Sequence, residues 1–430
     1  MNILMVTNTY LPHVGGVARS VEGFSNAYRA RGHRVLVVAP VFDGQPMRES
    51  DVVRVPALRH FNGSDFSVIL PVTRLMTGPI DDFGPDVIHS HHPFLLGTAA
   101  VRMANSYQVP LVFTHHTMYE RYTHYVPGNS PAMRRFVTQL ATEYANLCDA
   151  VFAPSASIAK VLRERGVTTP IHEVPTGVPL ERFFNGDGNR YRMTAGIPQG
   201  AFVIGHAGRL APEKNLEFLA EAVVHAMRVI PSARFLLIGE GPSAAPVEAE
   251  VNKAGMSGRL HREGVVNWAR LADAYAAMDV FAFASRSETQ GMVLTEAMVS
   301  GTPVAALDAP GVREVVQDGK NGWRLAGNAS PRALGEALIE AARLAPAHRE
   351  MLRRGAHATA GEFSMERTAG RALGHYTQLV QARAPRKEQG TLAVLDDLAR
   401  MIATEWSLVR EVADAAGAAL MLREERRETG

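Results

Sequence analysis

MNILMVTNTYLPHVGGVARSVEGFSNAYRARGHRVLVVAP, Met1 to Pro40, sets the architecture. Asn2 to Thr7 carries an apolar run of the kind buried on both faces of a parallel sheet. A loop from Asn8 to Gly15 follows, then a helical pattern from about Val17 to Arg31, then a second strand from Val35 to Pro40. Strand, loop, helix, strand is a βαβ unit, which predicts a parallel sheet with ligands at the carboxyl ends of its strands. Gly15 and Gly16 stand at the loop-to-helix junction, but the spacing is not G-x-G-x-x-G, so the dinucleotide fingerprint is absent where it belongs. No positive region precedes the apolar residues, which argues against a secretory signal.

Further strands are expected at Asp86–Ser90, leading into HHPF, at Leu111–Thr114, leading into HHTMYE, and at Ala150–Ala153, leading into PSAS, with a helix across Met133–Leu147. This brings His89, His91, His92, His115 and His116 to one sheet edge. Zinc is the tempting reading. The spacing of Cys, Asp and Glu does not match a zinc site, and adjacent histidines on a strand end point apart, so no metal is expected. A second set of strands starts at Phe202–Ala207 and continues through Arg234–Gly239, Val280–Ala284 and Val304–Leu307, which predicts a second parallel sheet without sequence repeat.

At 430 residues the chain is long enough for two domains, and its 46% hydrophobic and 20% charged residues are those of a globular protein. The single cysteine, Cys148, excludes an intramolecular disulfide and fits a reducing, cytoplasmic setting. No apolar run approaches the roughly 18 residues of a membrane span. With a net charge of +2 and no Lys/Arg block, nucleic acid is not an expected partner.

The chemistry is expected in Ser285 to Val304, SRSETQGMVLTEAMVSGTPV. Gly291 releases the chain from a loop into a short helix, Met292 to Ser300, stopped by Gly301 and Pro303. Free amides at Met292, Val293 and Leu294 would suit a phosphate or diphosphate. Glu288 and Glu296 bracket that terminus. Carboxylates beside phosphates repel them, so these two suit hydroxyl donors better. The E-x7-E spacing alone reads better as an amphipathic surface helix with two solvated glutamates; what turns the reading is the neighbourhood, where GRLAPEKN, Gly208 to Asn215, supplies two cations, Arg209 and Lys214, suited to a leaving diphosphate.

These blocks, with LIGEGP at Leu237 to Pro242, MDVFAFASRSETQGMVLTEAMVSGTPV and DGKNGW, resemble the retaining glycosyltransferases of family 4, from Met1 to about Ala384. The resemblance implies the GT-B fold, two Rossmann-like parallel-sheet domains facing across a cleft. It implies an acceptor domain at 1–178, a sugar-nucleotide domain at 179–366 entered through PTGVPLERFF, and a helix at 367–384 crossing back. Residues 385–430 are extra: Leu392, Leu395, Leu398, Ile402, Trp406 and Val409 form an amphipathic stripe expected to pack on the domain or pair two copies.

By resemblance Glu288 contacts the transferred sugar, Glu296 the ribose, His116 the sugar, and Gly16 lies beside the diphosphate and acceptor. Base contacts are implied near Gly239 and at Val265 to Asn267, centred on Val266. No D-x-D is present, so transfer is expected without an essential divalent metal or other cofactor, Arg209, Lys214 and the helix dipole standing in. No carboxylate is an obvious covalent nucleophile, which leaves front-face substitution.

HSHHPFLLG and THHTMYERYTHY look like the corresponding blocks of bacterial diacylglycerol α-glucosyltransferases, which implies transfer of glucose from UDP-glucose to a diacylglycerol-type lipid by an enzyme peripheral on the inner face of the membrane. The Lys/Arg-rich helix that often accompanies them is only partly present, at Arg134 and Arg135. GDP-mannose or another UDP-sugar, and inositol-lipid, soluble-sugar or sugar-phosphate acceptors, are the alternatives. A sugar-nucleotide epimerase or an oxidoreductase is the remote one.

Overall fold

The computed structural model describes residues 1–13, 15–47, 49–58, 68–69, 74–122, 130–383 and 407. It divides into two compact units, one of Met1–Pro175 with Thr368–Gly430 and one of Thr176–Arg367.

In the first unit, β1 (Asn2–Val6), β2 (Arg34–Pro40) and β3 (Val52–Val55) are followed by a short antiparallel pair, β4 (Ala57–Leu58) and β5 (Val68–Ile69). Then come β6 (Val87–Ser90), β7 (Leu111–Thr114), β8 (Ala150–Ala153) and β9 (Ile171–Glu173). Seven of these form a parallel sheet in the order β3-β2-β1-β6-β7-β8-β9. The order reverses between β1 and β6, which opens a crevice at the carboxyl ends of those two strands. Asn8 ties the two exits together: its backbone N–H donates to His92 Nδ1 at 3.0 Å, and its side-chain oxygen accepts from the Leu96 N–H at 3.1 Å.

The second unit contains β10 (Phe202–Ala207), β11 (Ala233–Ile238), β12 (Leu260–Glu263), β13 (Val280–Phe283), β14 (Val304–Leu307) and β15 (Gly322–Leu325). Their parallel order is β12-β11-β10-β13-β14-β15, so the reversal falls between β10 and β13. Alternation along the strands fills two cores. Val203, Leu236, Ile238, Phe281 and Phe283 pack on one face with Leu294, Ala297 and Met298 of the helix Met292–Val299. Phe202, Ile204, Phe235, Leu237 and Ala282 pack on the other with the helices Leu216–Val229 and Pro331–Arg343. Strands buried on both faces read as continuous apolar runs, which is why the sequence shows them.

The helix Met365–Ala382 enters the first unit through Tyr376, a fully buried residue whose hydroxyl lies 3.2 Å from Tyr28 Oη and 2.5 Å from His89 Nδ1. Arg383 follows, 3.8 Å from Asp149. The amphipathic stripe at Leu392 to Val409 and its proposed role in pairing lie outside the described residues, as does the THY end of THHTMYERYTHY. Among the described residues no helix is long and apolar enough to cross a membrane.

Candidate active site

The reversal in the second sheet puts two loops side by side, one leaving β10 at Gly208 and one leaving β13 at Ala284. They are GRLAPEKN and SRSETQG, the blocks singled out in the sequence. Glu213 C=O accepts from the hydroxyls of Ser285 at 3.2 Å and Ser287 at 3.3 Å. Asn215, held in the left-handed conformation at φ 56°, donates from Nδ2 to Ala284 C=O at 3.2 Å. Pro212 opens a single 3-10 turn, Pro212–Lys214, and the long helix starts only at Leu216.

Lys214 Nζ lies 2.6 Å from Glu288 Oε1, and both side chains are mostly buried. Burial alone would raise the Glu288 carboxyl, but the charge and hydrogen bond of Lys214, the Ser285 hydroxyl and His206 together carry it below the ordinary carboxylate value. His206 stands behind the pair; burial lowers it to about 4, and its Nδ1 donates to Ala282 C=O at 3.0 Å. Arg209 is half exposed and ion-paired with the buried Glu213. Each of the two cations singled out in the sequence is matched with a carboxylate, Arg209 with Glu213 and Lys214 with Glu288.

Gly291 has φ 73° and ψ 59°, a conformation that glycine adopts without strain, and the helix begins at Met292. Met292 and Val293, in its first turn, lack intrahelical acceptors for their amides. Leu294 does not belong with them: its N–H donates to Gly291 C=O at 2.9 Å, because the first turn closes as a 3-10 turn. Glu296 is only 2% exposed, and its Oε2 accepts from Tyr275 Oη at 2.9 Å.

Gly239 and Gly241, φ 121° and 144°, pack backbone to backbone on the first loop. A β-carbon at Gly239 would lie 1.9 Å from Gly208 C=O oxygen, and one at Gly241 2.3 Å from that of Leu210. Val266 packs partly buried against the core beside an exposed Val265, and Asn267 caps the helix Trp268–Ala277 by accepting from the Arg270 N–H at 2.9 Å.

Gln290 is a residue that the sequence reading missed. It is 2% exposed; its Oε1 accepts from the Thr176 N–H and its Nε2 donates to Thr176 C=O at 2.6 Å. Gly311 packs on the same strand of loop, with Gln290 N 2.6 Å from the place its β-carbon would take. No signal in the sequence points to it, because its partner Thr176 lies 114 residues away.

In the first unit Gly15 caps the helix Gly16–Arg29 without a side-chain bond, and around Gly16 there is open space. Four of the five histidines make paired contacts. His91 Nδ1 and His116 Nε2 are 2.8 Å apart, His89 Nε2 is 2.7 Å from Thr114 Oγ1, and His92 receives the Asn8 N–H. Burial lowers His89, His92 and His115 to about 3, and His91 and His116 well below the ordinary histidine value. His89 in β6 and His91 just past its end are two apart and share a face, with ring centroids 4.2 Å apart, as alternate residues of an extended segment do. Among the described residues no group of three His, Cys, Asp or Glu side chains is placed to hold a metal ion.

Two parallel sheets, each with a reversal of strand order, are those of the GT-B fold. The chain belongs to glycosyltransferase family 4: the Glycosyltransferase Family 4 profile matches residues 14–182, and that of Glycosyl transferases group 1 matches residues 201–343. The chain is 31% identical over 336 residues to a GDP-mannose-dependent alpha-mannosyltransferase of Mycolicibacterium smegmatis, covering 76% of this chain and 84% of that one. It is 28% identical over 342 residues to the alpha-monoglucosyldiacylglycerol synthase of Acholeplasma laidlawii, covering 75% and 84%. Among solved structures, Anabaena HepE in complex with UDP superposes with a TM-score of 0.69 at 19% identity, covering 88% of this chain and all of the other.

Proposed function

We propose that the protein transfers a hexose, glucose first, from a UDP-sugar to a diacylglycerol-type hydroxyl, with the α configuration kept and without an essential metal. The observation that carries this is the Lys214–Glu288 pair set beside the Met292 terminus at the sheet reversal. Glu288, held ionised by Lys214, accepts from hydroxyls of the transferred sugar, and Glu296, oriented by Tyr275, accepts from the ribose. Arg209, Lys214 and the Met292 and Val293 amides meet the charge that grows on the departing diphosphate. The acceptor oxygen bonds to the anomeric carbon as the bond to the phosphate oxygen breaks, and the acceptor proton passes to that phosphate oxygen. For His116 a contact to the transferred sugar is proposed on the family resemblance.

The lipid acceptor is supported by the HSHHPF and THHTMYE blocks and by the similarity to the Acholeplasma diacylglycerol enzyme. The Mycolicibacterium relative favours a second reading, mannose from GDP-mannose. The absence of D-x-D supports metal independence. With no spanning helix among the described residues, the enzyme would work at the membrane surface as a peripheral protein.

The test is transfer by purified protein from UDP-glucose, other UDP-sugars and GDP-mannose to vesicles of diacylglycerol with anionic lipid, in parallel with soluble sugars and sugar phosphates. An α-glucosyl lipid is expected. Glycosylation of a soluble acceptor alone would overturn the lipid assignment, mannosyl product would decide for the second reading, and a β linkage would overturn retention.

A further inference from the structure

His91 is fully buried at the end of β6, with its ring stacked on that of His116 at 5.1 Å between centroids. Of the two nitrogens 2.8 Å apart, His91 Nδ1 and His116 Nε2, one carries the proton and the other the lone pair. If His116 donated, the proton of His91 would sit on Nε2, a buried atom with no hydrogen-bond partner among the described residues. A buried orphan N–H is rarer and costs more than a buried bare nitrogen. If His91 donates instead, only a lone pair is left unmet. Burial holds both rings neutral, which removes the third arrangement, a doubly protonated imidazole.

We propose that His91 is a positioning residue: it donates from Nδ1 to His116 Nε2 and so fixes His116 as the tautomer that carries its proton on Nδ1, the form in which that nitrogen is a donor towards a sugar hydroxyl. This rests on the reading of His116 as a sugar contact. His91 is itself held in place. Its ring lies 4.2 Å from that of His89, which is bonded to Thr114 on one side and to Tyr376 and thence Tyr28 on the other. The tautomer of His116 is therefore set by a buried string that reaches the helix Met365–Ala382.

Ring-nitrogen spectra of the protein labelled with 15N-histidine, assigned with His116→Gln, should show His116 and His91 both protonated on Nδ1. A His116 protonated on Nε2 would overturn the proposal whatever the kinetics. His91→Leu removes the donor and should lower kcat by about ten- to a hundredfold, the effect of one hydrogen bond, with the donor KM within about twofold. His91→Asn places an N–H near the former Nδ1 and should recover most of that loss, which a merely structural role would not predict. If His116→Ala transfers at the full rate, the reading of His116 itself fails. If His116→Ala is inactive while folded His91→Leu is fully active, only the present inference fails. Should His91→Leu not fold, the ring spectra of the unaltered chain decide.

Discussion

Lys214 Nζ sits 2.6 Å from Glu288 Oε1, joining the loop after β10 to the loop after β13 across the reversal of the second sheet. Removing one member leaves the other buried and uncompensated. Lys214→Ala should therefore lose about 3 kcal/mol of stability in the second unit in addition to activity. Pairing it with Glu288→Gln should recover the stability and none of the turnover. Arg209 is 50% exposed but its partner Glu213 only 3%, so Arg209→Ala leaves a buried carboxylate behind and should cost some stability, less than Lys214→Ala because solvent reaches the vacated side. Its cost in turnover should be about 2–4 kcal/mol. Urea unfolding with steady-state kinetics separates the cases; a Lys214→Ala chain as stable as the parent would show that the pair does not hold the loops.

Gly239 and Gly241 should tolerate no side chain. A methyl group at either meets the carbonyl oxygen of Gly208 or Leu210, and both sites are left-handed in φ. Gly239→Ala and Gly241→Ala should each cost about 2–4 kcal/mol and displace Arg209, weakening nucleotide binding. Gly200→Ala, with nothing within 4 Å of the added carbon, should be neutral in thermal melts. Equal melting temperatures for all three would sink the packing argument.

Glu296→Ala should raise the donor KM more than it lowers kcat, since ribose contacts differ little between ground and transition states. Tyr275→Phe removes the 2.9 Å bond to Glu296 and should give a weaker version of the same change, about 1 kcal/mol. An unchanged KM with collapsed turnover would refute the ribose role.

Much of this was legible in the sequence because buried parallel strands advertise themselves. Leu111–Thr114, Ala150–Ala153, Phe202–Ala207 and Val304–Leu307 coincide with the apolar runs. Besides the short pair β4 and β5, the strands not anticipated are β3, β9, β12 and β15, the edges of the two parallel sheets, where VVRV, IHE, LHRE and GWRL mix polar with apolar residues and remain partly exposed. Edge strands carry no continuous apolar signature. At the site, motif spacing located Glu288, Glu296, Arg209 and Lys214 but not their partners. The pairing of Lys214 with Glu288, 74 residues apart, follows from strand order. The clamp of Gln290 on Thr176 likewise depends on a long-range return of the chain at a separation of 114 residues.

Transfer should survive EDTA. No D-x-D pair occurs in the sequence, and the proposed function has Arg209, Lys214 and the Met292 terminus supply the positive charge that a metal on such a pair would provide. Loss of activity with EDTA, restored by magnesium or manganese, would reverse this assignment.

Acid should unfold the first unit before the second. His89, His92 and His115 titrate at about 3 in the folded chain, and His91 and His116 lie well below the ordinary value, in each case because burial penalises the charged ring. Unfolded histidine titrates near 6.5, so the unfolded first unit binds more protons than the folded one below that pH. The stability these groups contribute is fully present above about pH 6.5 and falls as pH drops towards 3, by about 1.4 kcal/mol per pH unit for each histidine. Five together would exhaust a typical stability of about 5–15 kcal/mol within a few pH units. In the second unit His206 is lowered to about 4, and His261 and His357 are lowered as well, a smaller set. Of the three tryptophans, Trp268 and Trp323 lie in the second unit, so in a Trp406→Phe chain, whose emission reports that unit alone, far-ultraviolet circular dichroism should change at a higher pH than tryptophan emission does. His115, whose two ring nitrogens have no partner among the described residues, offers the sharpest check. His115→Leu removes a buried, unmet polar group and one titrating site, and should move the acid midpoint of the first unit to lower pH. A midpoint that stays in place or rises would show that burial of His115 is not what makes this unit acid-labile.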